Sequence, residues 1–285
     1  MATGTSRVAD LNSYFANIYE DAVFALYETT LATRLVRTFT DGQGDQTRTL
    51  STYPTITPVT VAETEDFATP TRFGKSLLAT LTPGECMSQV IVTDRRIETD
   101  PQNASQDAST EMGQGFAAKV DTDIFSNLSS LTGGTVGATG STMTWGYFSA
   151  GVARLRAASI PQPWYCVMHP NHYAYMAEAA AVGATVTNSP AFQDEVMSRW
   201  YVGRILGVDV FLSSLVPAGS TTTDSYGAFF NPGALAFDLR RDFTIERERD
   251  ASKRAWELNA TMLYAHGVWR PLWGIQLLCD AQAIS

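Results

Sequence analysis

Thr57-Pro58-Val59-Thr60-Val61, the acidic group Glu63-Thr64-Glu65-Asp66 and the return Thr80-Leu81-Thr82-Pro83 belong to the stretch on which the reading of the fold turns. Alternation and enrichment in β-branched residues favour extended chain, and prolines at 54, 58, 70 and 83 speak against helix. The acidic group reads as a solvated tip joining two long arms. Its carboxylates have no evident apolar shell to shift their pKa toward acid–base work. Between Thr38 and Thr82 large apolar residues are few, and an isolated two-stranded hairpin is only marginally stable in water. The arm is therefore expected to lie on something outside itself.

Working toward the N-terminus, Asp41-Gly42-Gln43-Gly44-Asp45 separates the arm from an apolar pattern at Leu11, Tyr14, Phe15, Ile18, Ala22, Ala25 and Leu26. That spacing predicts a helix from Asp10 to about Val36. Its stripe, widened by Val23, Phe24, Tyr27, Leu31 and Leu35, suits contact with a neighbour as well as with a core.

Toward the C-terminus, Cys86 to Thr93 reads as a strand, followed by a polar turn and Pro101. Met112, Phe116, Val120, Ile124 and Leu128 recur every four residues and predict a long helix over 102–131, closed by Gly133-Gly134. A helix over about 144–158, a strand from Trp164 to Met168, a helix from His169-Pro170 to about Ala181 and a short helix around 191–201 follow. Ile205 to Leu212 reads as a strand interrupted at glycine. Further strands are expected at 226–230, 235–237, 243–248, 258–264 and 267–278. The order is α+β without regular βαβ repetition.

The 285 residues are 45% hydrophobic and carry a formal charge of −9. Such a chain can bury a large core, and a basic face cannot supply its main binding energy, which disfavours sequence-specific nucleic-acid binding. Apart from Lys75, Lys119 and Lys253 the basic residues are arginines, a bias that fits protein–protein contact. No apolar run approaches a membrane span, and the start Met1-Ala2-Thr3-Gly4 lacks an export pattern, so a soluble chain is expected. Cys86, Cys166 and Cys279 have neither disulfide-framework nor metal spacing and are expected as buried thiols.

Candidate chemistry is sparse. His169-Pro170-Asn171-His172 could ligate a metal for a hydrolase, but no Glu-containing metalloprotease motif surrounds it, and two partly exposed histidines in a strand-to-helix turn are expected. Gly133-Gly134-Thr135-Val136-Gly137 lacks the Lys-Ser/Thr ending of a phosphate loop, and no Gly-x-Ser-x-Gly elbow occurs. Neither a cofactor nor an enzymatic activity is expected. Glu246-Arg247-Glu248-Arg249-Asp250 alternates in sign and would give a strand one acidic and one basic face.

The order of segments resembles the major capsid proteins of tailed bacteriophages, the phage-coat (Johnson) fold, over nearly the whole chain. The residues that carry the resemblance are the exit Leu81-Thr82-Pro83-Gly84-Glu85-Cys86 into Val90-Ile91-Val92-Thr93-Asp94, the helix containing Phe116-Ala117-Ala118-Lys119-Val120-Asp121, and Trp164-Tyr165-Cys166-Val167-Met168-His169-Pro170. The most specific match is Gly203-Arg204-Ile205-Leu206-Gly207-Val208-Asp209-Val210 followed by Val216-Pro217-Ala218-Gly219.

The resemblance implies an N-terminal arm and helix (1–40), an extended β-hairpin loop (41–85), a peripheral domain (86–142 and 238–285) that includes a spine helix at 102–131, and an axial domain (143–237). It implies pentamers and hexamers forming an icosahedral head around double-stranded DNA, with each hairpin lying over an adjacent subunit. Inter-subunit contacts are expected from Arg48, Tyr53, Glu63, Glu65, Phe67, Arg72, Phe73 and Lys75 of the hairpin and from Glu246, Arg247, Glu248 and Arg249. A separate scaffolding protein, a portal and nonspecifically held DNA are the implied partners, with decoration proteins left open and no membrane. An encapsulin-like nanocompartment is the rival within the same fold.

Overall fold

The computed structural model describes residues 30–283 apart from 43, 45, 55, 62, 64–69, 71, 100–103, 184–200 and 220–222. Most of the expected first helix lies outside the described residues. Its described end is a single turn, α1 (Ala32–Leu35), that passes directly into β1 (Arg37–Phe39). The helix expected around 191–201 also lies outside, except that Tyr201 opens a strand.

Two sheets organise the described chain. The first has four strands in the order β1, β10 (Leu235–Asp250), β11 (Ala255–Val268) and β4 (Gly84–Thr93). The sequence suggests separate short strands at 235–237 and 243–248, but β10 is continuous. Register shifts between Leu239 and Arg241 and between Arg241 and Thr244 absorb the polar residues that break the alternation. Along β11, Leu258, Ala260, Met262 and Tyr264 are buried at period two. They meet the apolar stripe Met112, Phe116, Val120 and Ile124 of the long helix α3 (Ala104–Ser126), which a 3-10 turn extends to Ser130. Phe116 and Phe243 pack edge to face at 5.0 Å. A short helix, α2 (Asp94–Thr99), occupies part of the expected polar turn before α3.

The second sheet has six strands in the order β5 (Thr135–Gly137), β12 (Gly274–Asp280), β9 (Asp224–Phe230), β6 (Tyr165–Met168), β8 (Val208–Leu212) and β7 (Tyr201–Ile205). The glycine interruption expected in 205–212 is a two-residue hairpin turn. Leu206 and Gly207 both have positive φ, 51° and 89°, as a type I′ turn requires. Helix α4 (Trp145–Ala157), capped by Thr144, lays Phe148, Val152 and Leu155 on this sheet. A Cβ at Gly151 would come within 2.6 Å of the Phe229 ring, so glycine permits the close approach. Helix α5 (Pro170–Gly183) follows β6 directly.

The last strand differs from its expected span of 267–278. Gly267 and Val268 end β11, and the chain crosses through Trp269–Trp273 before β12 begins. Strand β5 pairs with β12, and β12 pairs in turn with β9 of 143–237, so this sheet draws on both sides of the expected boundaries at 142 and 238.

Candidate functional site

The hairpin begins as a two-stranded ladder of β2 (Arg48–Thr52) against β3 (Ser76–Leu81). Among the described residues from 53 to 75 no further ladder forms, so the paired part is shorter than the alternating sequence suggests. Its base is seated on the four-stranded sheet. Leu50 and Leu81 are buried against Ala236 and Ala265, with Phe39 and Trp269 alongside.

A charged network reinforces this seat. Arg48 Nε lies 2.9 Å from Asp238 Oδ2, and its other arm lies 2.5 Å from Asp41 Oδ1. Arg240 reaches the same Asp238 oxygen at 2.7 Å. Asp238 is fully buried, and its Oδ1 has no hydrogen-bond partner among the described residues. The Asp238 carboxylate raises the pKa of Arg48 above its ordinary value, and Arg48 also stacks over Phe39 at 4.6 Å. The Asp41–Asp238–Arg240 part of this network is absent from the sequence expectations. The available signal was an acid inside the apolar strand Leu235-Ala236-Phe237-Asp238-Leu239.

Beyond the base the arm is open. Tyr53 and Phe73 stack with ring centroids 4.6 Å apart, Lys75 Nζ lies 6.0 Å from the Tyr53 ring, and both rings remain exposed. Ile56, Val59 and Leu77 are each at least 60% exposed, an unusual density of bare apolar side chains. Glu63 and Arg72 are exposed as well, while Glu65 and Phe67 lie outside the described residues.

The charge run occupies the other end of β10, where β1 no longer pairs and the strand is a free edge among the described residues. Glu246, Arg247 and Glu248 are exposed there. Arg249 makes two hydrogen bonds to Asp94, at 2.6 and 2.7 Å, and with Arg247 it lies over Trp256. Among the described residues the structure therefore does not bring the hairpin set and the charge run together within one subunit: of that set Arg48 reaches β10, at Asp238 and far from the charge run.

The histidines differ from the expected pair of half-exposed groups. His172 is fully buried, because the first turn of α5 folds it over β9 and β12, where Nε2 lies 3.1 Å from both the Cys279 carbonyl and Ser225 Oγ. Burial lowers its pKa to about 4. His169 sits 6.1 Å away, ring to ring, beside a polar recess of about 380 Å³ shared with Ser214, Asp224 and Ser225. His266 is elsewhere, paired with Asn127 at 2.9 Å. Among the described residues no three His, Cys, Asp or Glu side chains gather as a metal centre would need. Cys166 and Cys279 are buried thiols as expected, but Cys86 is only partly buried.

A model of the phage capsid protein family matches residues 89–276. The structure is similar to that of the capsid of Cyanophage P-SCSP1u, with a TM-score of 0.67, 16% identity and 89% of each chain covered. The capsid of a native GTA particle gives a TM-score of 0.66 at 14% identity, covering 99% of this chain and 93% of that one. A virus-like particle from Pyrococcus furiosus gives 0.61 at 11%, covering 93% and 99%. A comparison with curated proteins gives no match. A capsid-family match across both sheets, on a fold whose long arm leaves its apolar side chains uncovered, has one consistent reading: the chain belongs to the phage capsid protein family.

Proposed function

We propose that this capsid protein is the major subunit of an icosahedral head, forming pentamers and hexamers that close around double-stranded DNA. The observation that carries the reading is the arm: its base is fixed by Arg48, Leu50 and Leu81, while Tyr53, Ile56, Val59 and Phe73 stay exposed until a neighbour covers them. As a capsid protein it resides in the virion, and among the described residues no helix is long and apolar enough to cross a membrane.

In this reading the six-stranded sheet with α4 and α5 is the axial domain, and the four-stranded sheet with α3 as spine helix is the peripheral domain. Arg48, Tyr53, Glu63, Glu65, Phe67, Arg72, Phe73 and Lys75 belong to the contact between subunits, with Glu246, Arg247, Glu248 and Arg249 forming a second, charged seam. A separate scaffolding protein and a portal guide closure, and the net charge of −9 leaves DNA to weak, nonspecific contact. The role is structural and not enzymatic. The capsid-family match favours a viral head over a cargo-storing compartment of the same fold.

Expression of the chain with its scaffold, followed by negative-stain microscopy, tests the reading: closed shells support it. Mutating His169 and His172 together bears on the hydrolase alternative. Bound metal in the purified protein, lost with the two histidines, would support an enzyme.

A further inference from the structure

Asp238 is not the only carboxylate taken out of water. Asp224, the first residue of β9, is 2% exposed and lines the polar recess of about 380 Å³ beside His169. Its Oδ1 accepts a hydrogen bond from the Gly140 amide at 3.0 Å, but its Oδ2 is buried without a hydrogen-bond partner among the described residues. Asp238 has Arg48 and Arg240 against it, whereas Asp224 forms no ion pair among the described residues. A buried carboxylate left in that state is costly.

A second carboxylate stands across from it. Asp280 is the direct partner of Asp224 in the antiparallel pairing of β12 with β9, which sets the two side chains on one face with Cβ atoms roughly 5 Å apart. Asp280 Oδ1 accepts from the amide of Gln282 at 3.0 Å, and Gln282 lines the recess. Both carboxylates lie close enough to Cys279 to reinforce the burial that pushes its thiol up to about 12. Like charges directly opposite on a sheet repel. Of the side chains lining the recess only His169 can carry a positive charge, and burial lowers its pKa, which favours the neutral ring.

The chemistry of the lining selects the kind of cation that would offset the pair. His169 Nδ1 accepts from the Asn171 amide at 3.2 Å, so the neutral ring carries its hydrogen on Nε2 and has no lone pair left for a metal. Ser214 and Thr223 contribute hydroxyls. Two carboxylates without a histidine ligand do not make a zinc-type centre, whereas hard cations bind carboxylate, hydroxyl, main-chain and water oxygens.

We propose that the Asp224–Asp280 pair and the adjoining recess bind a divalent cation of the calcium class. The two positive charges balance the two carboxylates, Asp224 Oδ2 gains the partner it lacks, and hydroxyl and water oxygens complete the coordination. Calcium suits an irregular oxygen set in a roomy recess better than magnesium, which demands near-octahedral geometry. Binding fastens the start of β9 to the end of β12.

Calorimetric titration and thermal melting of the full chain, stripped with a chelator and then dialysed, test the site with calcium chloride as the probe. Calcium at roughly a hundredfold excess over its Kd should raise the melting temperature by about 5 °C, and magnesium should raise it less. Asp224→Asn should abolish the response, and Asp280→Asn should weaken binding by about tenfold or more. Absence of a calcium response in the parent overturns the proposal without any variant having to fold. A response that either variant keeps in full places the ion elsewhere and overturns it too.

Discussion

Asp238 is where burial and charge meet most sharply in this molecule. A fully buried carboxylate is tolerated only when paired, and Arg48 and Arg240 share that task. Arg48→Ala leaves Arg240 as a partner but removes the link to the hairpin. A loss of about 2–4 kcal/mol is expected in chemical denaturation of the subunit, with faster proteolysis near Thr52. Asp121 has a comparable role near the N-terminal side. Its two oxygens accept from the amides of Leu31 and Ala32 at 3.0 and 2.9 Å, tying the start of α1 to α3. Asp121→Ala should cost about 1–3 kcal/mol, read as a lower melting temperature. His172 adds a pH dependence whose sign is fixed by its environment. Its pKa falls from 6.5 to about 4 on folding, so the unfolded chain binds the extra proton first. The stability associated with neutral His172 is complete above pH 6.5 and lost progressively as pH falls toward 4. His172→Phe should flatten that part of the stability profile, measured by denaturation between pH 4 and 7.

At the scale of elements, the arm and its seat separate cleanly. Leu50, Leu81 and Arg48 tie β2 and β3 to the body, whereas the described residues between Thr52 and Ser76 pack on little beyond one another. Replacing 53–75 by a short glycine-serine turn should therefore leave a folded subunit with a melting temperature close to the parent's, yet abolish shells in microscopy. Retained assembly would refute the role given to the arm. The same separation explains what could be read in advance. Met112, Phe116, Val120 and Ile124 repeat at four-residue steps because one face of α3 is buried along its length, and the helix was legible from them. The unity of β10 was hidden, because its bulges interrupt the period-two signal at Arg240 to Asp242. Sheet membership was hidden too: Ile275 and Leu277 announce a buried face in β12 but not which sheet it joins.

Among the described residues, the chain closes two large cores and a small one under the hairpin base, and leaves a further set of apolar groups exposed. The large cores lie between α3 and the four-stranded sheet and between α4 and the six-stranded sheet. The exposed set is spread along the arm and β4, at Tyr53, Ile56, Val59, Phe73, Leu77, Met87 and Ile91. The arm's shortage of buried apolar residues was legible from Thr38 to Thr82 by composition alone. The individual contacts were not, because Asp238, Asp41 and Arg240 come together only through tertiary folding. The central claim is that these surfaces are completed by further copies of the chain, and the size of the purified assembly tests it most directly. Light scattering with negative-stain microscopy, on protein expressed with its scaffold, should find closed particles built of pentamers and hexamers; a stable monomer under every assembly condition would contradict the account.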